Sequence, residues 1–276
     1  MSPGEPPKPP RVLEFTVDLP TDPDTVWQLL TDPAAIAQWF APQVEGSGED
    51  GGTLTLSWGP EMRWNTKVAA AERGRLVRWQ DDFDAYQQLP ATGAPVVIEW
   101  QLSPGPSGTR LRLVHSGFGD GTDWDDMVDG TKAGWTFFIW HLLETVRHHL
   151  GQRRTVLFER RPSTLTREAL GTRLYGPDGL ALAPPRPDSG STAQVSLDGQ
   201  PRRFEVQHAR FPTQLFGKFP ELGGGAVLLI EMEPGRTPPV QTGLWLSTWE
   251  LAPAMLESLR GGLRSLADRV FGPRAA

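Results

Sequence analysis

The chain is 276 residues long, enough for two domains that each bury a core, and it carries a net charge of −6 with its 27 Lys and Arg residues scattered rather than clustered. That balance is wrong for a surface that neutralises phosphates, so nucleic acid is not an expected partner. The lack of cysteine rules out disulfides, thiolate nucleophiles and cysteine-based metal sites, and no apolar run approaches the roughly 18 residues of a membrane span.

Residues 1–10 hold five prolines and almost no apolar side chains, which predicts an extended, disordered lead-in. They lack the apolar core of a secretion signal, so a cytoplasmic location is expected. Val12 to Leu19 alternates as a strand. Thr21-Asp22-Pro23 reads as a helix start, with Asp22 as cap and Pro23 in the first helical position, followed by Val26, Trp27, Leu29 and Leu30 as a buried stripe. Asp32-Pro33 opens a second helix that carries Ile36, Trp39 and Phe40.

Beyond a Gly-rich turn at Gly46 to Gly52 the apolar period becomes two. Leu54, Leu56 and Trp58 share a face, as do Met62, Trp64, Thr66 and Val68, and Val77 with Trp79 continues the pattern. Val96, Ile98, Trp100 and Leu102 oppose Val97, Glu99 and Gln101, while Leu111, Leu113 and His115 oppose Arg110 and Arg112. This is an antiparallel meander with one wet and one buried face. A helix within Trp124 to Leu150 follows, with Trp135, Phe138, Ile139, Leu142, Val146 and Leu150 along a single apolar stripe.

After Gly151 a shorter version of the same order follows. Strands are expected at Val156 to Arg160, Ala193 to Leu197 and Phe204 to Ala209, with a helix at Thr166 to Leu174 and a long Pro- and Gly-rich loop from Pro177 to Ser191. V-L-L-I-E-M-E-P-G at Val227 parallels V-V-I-E-W-Q-L-S-P-G at Val96, and T-G-L-W-L-S-T-W at Thr242 parallels T-R-L-R-L-V-H-S at Thr109, both at an offset of about 132 residues. A last helix from Pro253 aligns Leu256, Leu259, Leu263, Leu266 and Val270. An internal duplication explains this order, with domains at 11–151 and 152–276; the plainer alternative is one domain with a long α+β extension.

V-W-Q-L-L-T-D-P, Q-W-F-A-P, T-R-L-R-L-V-H-S-G-F and G-W before a long helix, in this order across Val12 to Leu150, resemble the helix-grip or START-like superfamily, and within it bacterial proteins related to the activator of heat-shock protein 90 ATPase. The resemblance implies an α+β fold: a seven-stranded antiparallel sheet wrapped around a long C-terminal helix, repeated here as a second, degenerate unit. It also implies a cavity between sheet and helix of the kind that holds lipids, sterols, hormones or polyketides in that superfamily. No cofactor is implied. The second half lacks both the W-F-x-P and the G-W signatures, which puts a cavity there in doubt.

Strand parity and helical spacing nominate Trp58, Trp64, Trp79, Trp100, His115, Trp135, Phe138 and Leu142 as ligand-binding residues. Any one of these tryptophans is equally suited to filling a core. His115 is the one imidazole expected on the inward face, suited to hydrogen-bonding a ligand, to acid–base work or to a purely structural role. Gly134 is expected to let Trp135 sit close beside it. His141, His148 and His149 are read as a solvated face, too widely spaced for metal. Acidic residues cluster at Asp81, Asp82 and Asp84 and again at Asp120, Asp123, Asp125, Asp126 and Asp129; the second set lacks the alternation, central glycine and terminal glutamate of a calcium loop, and Asp123, Asp125 and Asp126 suit the positive end of the long helix. Nucleotide-binding, hydrolase and metalloprotease motifs do not occur. Three functions fit: binding of a small hydrophobic molecule (a lipid or an aromatic, polyketide-like compound) without catalysis; a polyketide cyclase/aromatase-like enzyme acting on an aromatic compound through His115 with Glu99 or Arg112, although parity points the latter two outward; or a module resembling chaperone ATPase activators that meets a protein partner through its surface. The first is the expectation.

Overall fold

The computed structural model describes residues 11–59, 62–81, 95–120, 122–233 and 239–272. The lead-in expected over residues 1–10, and the acidic positions Asp82 and Asp84, lie outside them. The chain divides into two compact units, Met1–Gly151 and Gln152–Ala276. Among the described residues no helix is long and apolar enough to cross a membrane.

Unit 1 runs β1 (Arg11–Leu19), α1 (Pro23–Thr31), α2 (Pro33–Ile36), β2 (Gln43–Gly46), β3 (Thr53–Gly59), β4 (Met62–Glu72), β5 (Leu76–Asp81), β6 (Val96–Gly105), β7 (Gly108–Phe118) and α3 (Thr122–His148). Its seven-stranded sheet has the order β1-β7-β6-β5-β4-β3-β2, with every pair antiparallel. The helices after β1 carry the chain from one edge of the sheet to the other, and from there each strand pairs with the one before it. Register shifts interrupt three pairs, among them β4 with β5 between Val68 and Ala70, and such bulges bend the strands they occupy.

Capping agrees with the sequence: Asp22 accepts from the Thr25 amide at 2.9 Å and Asp32 from the Ala34 amide at 2.8 Å, each with a proline next. The second helix is shorter than its spacing predicts. It ends at Ile36, and Trp39 and Phe40 lie in the turn beyond, where the Trp39 indole N–H donates to the Leu29 carbonyl at 2.8 Å and fixes the turn against α1. The short strand β2 was not anticipated.

α3 corrects the reading of its histidines. It is buried on more than one face: His141, Glu144, Thr145 and His149 are all buried, and only His148 of the three histidines is exposed, while Leu150 at the end of the expected stripe stands in solvent. His141 is covered by the Trp39 turn, and its Nδ1–H donates to the Trp39 carbonyl at 2.7 Å.

Unit 2 runs β8 (Arg154–Ser163), α4 (Arg167–Tyr175), β9 (Thr192–Ser196), β10 (Pro201–Arg210), β11 (Gln214–Phe219), β12 (Ala226–Met232), β13 (Val240–Trp249) and α5 (Pro253–Phe271). Its sheet order, β8-β13-β12-β11-β10-β9, is that of unit 1 less one strand, and a single helix comes after the first strand. The segments starting at Val227 and Thr242 fall on β12 and β13, which occupy the places of β6 and β7. Strand β11 was missed because Q-L-F-G-K-F is buried on both faces and so shows no alternation. The core is largely aliphatic, with Leu259, Leu263, Leu266 and Val270 of α5 fully buried.

Two adjacent glycines in α5 offer a test of this packing. A Cβ on Gly261 would meet open space, whereas one on Gly262 would come within 2.6 Å of the Asp198 backbone. Gly261→Ala is expected to stabilise the protein by about 0.5–1 kcal/mol through helix propensity, and Gly262→Ala to destabilise it. Urea denaturation of the two variants, read by far-ultraviolet circular dichroism, measures both signs.

Candidate functional site

The inward face of the unit 1 sheet is laid out in cross-strand rows. One row runs Val68, Trp79, Ile98, His115, Leu13 across β4, β5, β6, β7 and β1; beside it on one side is Val77, Trp100, Leu113, Phe15, and on the other Leu54, Thr66, Asp81, Val96. Against these rows α3 sets Trp135, Phe138 and Leu142, and the turn after α2 inserts Trp39 and Phe40.

The rings touch one another. Phe40 lies at the centre, with centroids 5.2 Å from Trp39, 5.0 Å from Trp58, 6.1 Å from Trp79, 5.4 Å from Trp135 and 4.7 Å from Phe138. Trp100 meets Trp39, Trp79 and Trp135 edge-on at 5.3–5.8 Å, and Trp64 stacks on Trp58 at 4.6 Å. At the middle of this network Trp39, Trp79 and Trp100 have no exposed surface; at one edge Trp64 and Phe138 are half-buried and reach solvent. All eight nominated residues therefore lie on the inward side of unit 1. Phe40 and Trp39 were not nominated, although W-F directly after a Pro-started helix was the available signal.

The polar groups within this apolar volume are few. The Trp135 indole N–H donates to His115 Nδ1 at 2.9 Å, which leaves the imidazole proton on Nε2. Burial pushes the His115 pKa down to about 3, so the ring is neutral at physiological pH. His115 Nε2–H has no acceptor among the described residues, and neither do the indole N–H groups of Trp79 and Trp100. Gly134 does not create this arrangement: a Cβ there would meet nothing within 4 Å, so the approach of Trp135 to His115 is set by ring packing and the hydrogen bond.

Asp81 is a second buried ionisable group on the inward face of the sheet, although in the sequence it reads as part of an acidic run without a role. Its parity with Val77 and Trp79 was the signal that places it inward. The carboxyl accepts from the Thr66 hydroxyl at 2.5 Å and has no charged neighbour among the described residues; burial raises its pKa to about 7, with the Thr66 hydrogen bond opposing the shift. Glu99 and Arg112 lie on the opposite, outer face. There Glu99 binds Arg78 at 3.0 Å and Gln101 at 2.6 Å, and Arg112 binds Gln101 at 2.8 Å and Glu14 at 2.6 Å. They line a polar groove of about 660 Å³ with Arg75, Arg78 and Arg110, and do not converge with His115. Among the described residues no group of three or more His, Asp and Glu side chains is placed to hold a metal ion.

A seven-stranded antiparallel sheet closed by a long C-terminal helix over an aromatic interior defines the helix-grip, START-like class. Residues 20–147, most of unit 1, match the family model described as activator of Hsp90 ATPase homolog 1-like protein. No curated protein matches the sequence. Among solved structures, the Mesorhizobium loti protein MLL2253 is 26% identical over 50% of this chain and 96% of its own, with a TM-score of 0.42. The Aha1 dimer from Colwellia psychrerythraea is 20% identical over 51% of this chain and 99% of its own, at 0.45. DynU16, a putative protein in the dynemicin biosynthetic locus, is 19% identical over 94% of this chain and 97% of its own, at 0.41.

The isolated carboxyl makes stability depend on pH. Asp81 titrates near 3.9 when unfolded and near 7 when folded, so the folded chain holds a proton that the unfolded chain has lost in between. This contribution is fully present below about pH 4 and is lost as pH rises toward 7, at up to about 1.4 kcal/mol per pH unit. Asp81→Asn cannot ionise, so its melting temperature relative to the parent is expected to climb between about pH 5 and pH 8. A difference that stays flat across that range would mean Asp81 does not retain its proton.

A second expectation concerns the helix–sheet hydrogen bond. Trp135→Phe keeps an aromatic ring but removes the donor to His115 Nδ1, at an expected cost of about 1–3 kcal/mol. Imidazole 15N NMR should then show His115 moving from one tautomer to a mixture.

Proposed function

We propose that unit 1 binds a small, largely apolar aromatic molecule bearing acceptor oxygens, between its sheet and α3, and does so without catalysis. One observation carries this reading: three N–H donors, on Trp79, Trp100 and His115, are buried in an aromatic interior with no acceptor among the described residues. Each such donor costs about 1–3 kcal/mol. A carbonyl, phenol or carboxylate oxygen on a ligand would remove that cost, while ring contacts and burial at roughly 25 cal/mol per Å² would supply the rest of the affinity. The half-buried edge at Trp64 and Phe138 is the natural way in.

His115 supports binding over acid–base work. Its Nδ1 is occupied by the Trp135 indole and its pKa is pushed down to about 3, so it donates a hydrogen bond but takes up no proton near neutrality. The other groups an enzyme would need, Glu99 and Arg112, are engaged on the outer face. A surface module that meets a chaperone-like protein is the second reading, favoured by the family-model match of residues 20–147 and by the outer groove that holds four arginines. Its expected apolar patch is not formed among the described residues, where the exposed large apolar side chains are Val12 and Leu150.

Paired probes test the reading. 2-Acetylnaphthalene, which carries an acceptor oxygen, is expected to quench the tryptophan fluorescence saturably and to bind more tightly than 2-ethylnaphthalene, which carries none. Alanine at Trp100 would cost about 3–5 kcal/mol of stability, so the informative change is Trp100→Phe, which keeps a ring and deletes one donor. It should reduce the ketone's affinity several-fold and leave the hydrocarbon's unchanged. Failure of both probes to bind saturably, together with native mass spectrometry of protein from its own host showing no co-purifying small molecule, would remove the proposal.

A further inference from the structure

Asp81 adds a second pole to the same interior. We propose that the ligand carries a basic nitrogen as well as acceptor oxygens, and that its ammonium group pairs with Asp81 among the surrounding rings; this rests on the proposed binding function of unit 1.

The geometry gives three grounds. First, Asp81 is 8% exposed and stands on the inward face two residues beyond Trp79, in the row Leu54, Thr66, Asp81, Val96, whose other members are apolar apart from Thr66. Second, its one partner among the described residues is the Thr66 hydroxyl, which donates to Oδ1; no Lys, Arg or His among them reaches the carboxyl. Buried carboxylates are ordinarily paired with a cation, because a lone ionised group in an apolar medium is far too costly. An Asn of the same shape would avoid that cost, and this chain has an acid instead. Third, the rings near this end suit a cation: Trp64 is two residues from Thr66 on the same face and stacks on Trp58 at 4.6 Å, and Trp79 flanks the other side. An ammonium over the face of an indole is attracted to the ring's negative face in addition to its ion pair.

The two poles are chemically opposite. The row of Trp79 and His115, with Trp100 beside it, offers N–H donors to an oxygen; the neighbouring row, at Asp81, offers an acceptor to an N–H⁺. A flat aromatic amine with a carbonyl or phenol at its other end meets both, the ring system lying along the tryptophans. Without a ligand the acid is held by its own proton, in keeping with a carboxyl whose pKa is raised to about 7. When an ammonium binds, the carboxyl O–H bond breaks, its proton passes to solvent water or buffer, and the carboxylate remains as the counter-ion; no other bond changes.

The test compares 2-acetylnaphthalene with its 6-aminomethyl derivative, on the full chain at about pH 6.5, by isothermal titration calorimetry. The expected result is at least tenfold tighter binding of the amine by the parent protein, a preference that disappears in Asp81→Asn while the ketone's affinity holds. Because the variant's folding is itself a variable, a second readout uses the parent alone: the 13C signal of the Asp81 carboxyl should move to its ionised position when the amine binds and stay put when the ketone binds. Equal or weaker binding of the amine, with the ketone still bound, overturns this inference and leaves the binding function standing. If neither probe binds, this inference falls, and the binding function falls with it when native mass spectrometry also shows no co-purifying small molecule.

Discussion

An indole N–H donated across the gap between α3 and β7 holds the interior of unit 1 in its present form. With Trp135 bound to His115 Nδ1, the helix has a fixed rotation and depth against the sheet, since a donor 2.9 Å from its acceptor tolerates little sliding. The same bond decides the chemistry of the imidazole. A histidine free to choose its tautomer would satisfy whichever neighbour was nearest; this one must present N–H at Nε2, and burial keeps it from gaining a second proton. Phe40 then stacks on Trp135, nearly parallel at an interplanar angle of 9°, and the rest of the ring network is built around that pair.

Packing and polar satisfaction pull apart here. Tryptophan brings more apolar area than any other side chain, but each indole also brings an N–H that needs a partner when buried. Trp39 and Trp135 find partners in the Leu29 carbonyl and in His115; Trp79 and Trp100 find none among the described residues. Asp81 adds a carboxyl with a hydroxyl partner and, among those residues, no cation. Leucine or phenylalanine at these places would pack with no such penalty. Cores violate the rule of satisfied polar groups mainly where something other than stability is being served, which is the physical basis for reading this interior as a binding site.

Unit 2 keeps the same strand order, less one strand, around a differently composed core. Its main core cluster is built from leucine, valine and isoleucine with Phe204, Phe219 and Tyr175, and no tryptophan is among its described members; the Tyr175 hydroxyl is partnered by the Pro212 carbonyl at 3.1 Å. A separate groove of about 560 Å³ lies beside α4, lined by Tyr175, Phe211, Pro212 and the loop to Arg186. The two units thus share a topology and differ in interior chemistry.

Much of this was legible in the residues themselves. Asp22-Pro23 and Asp32-Pro33 fixed two helix starts because a capping carboxylate and a locked φ act within a few residues, and strand parity assigned Trp100 and His115 inward and Glu99 and Arg112 outward because pleating is strictly alternating. Those are local rules, and local rules can be read from a string. The features hidden in the string arose between elements distant in sequence. His141 is buried because a turn some hundred residues earlier folds over α3, and β11 is hidden because both of its faces are covered. Which donors go unpaired depends on the positions of several strands and a helix at once. Propensity and periodicity therefore settled the first two helix starts and the faces of β5, β6 and β7 from the residue order alone, while β2, β11, the second buried face of α3 and the partners of Trp79, Trp100, His115 and Asp81 were decided only by the tertiary structure, because hydrogen bonding and desolvation depend on three-dimensional neighbours that no linear spacing encodes.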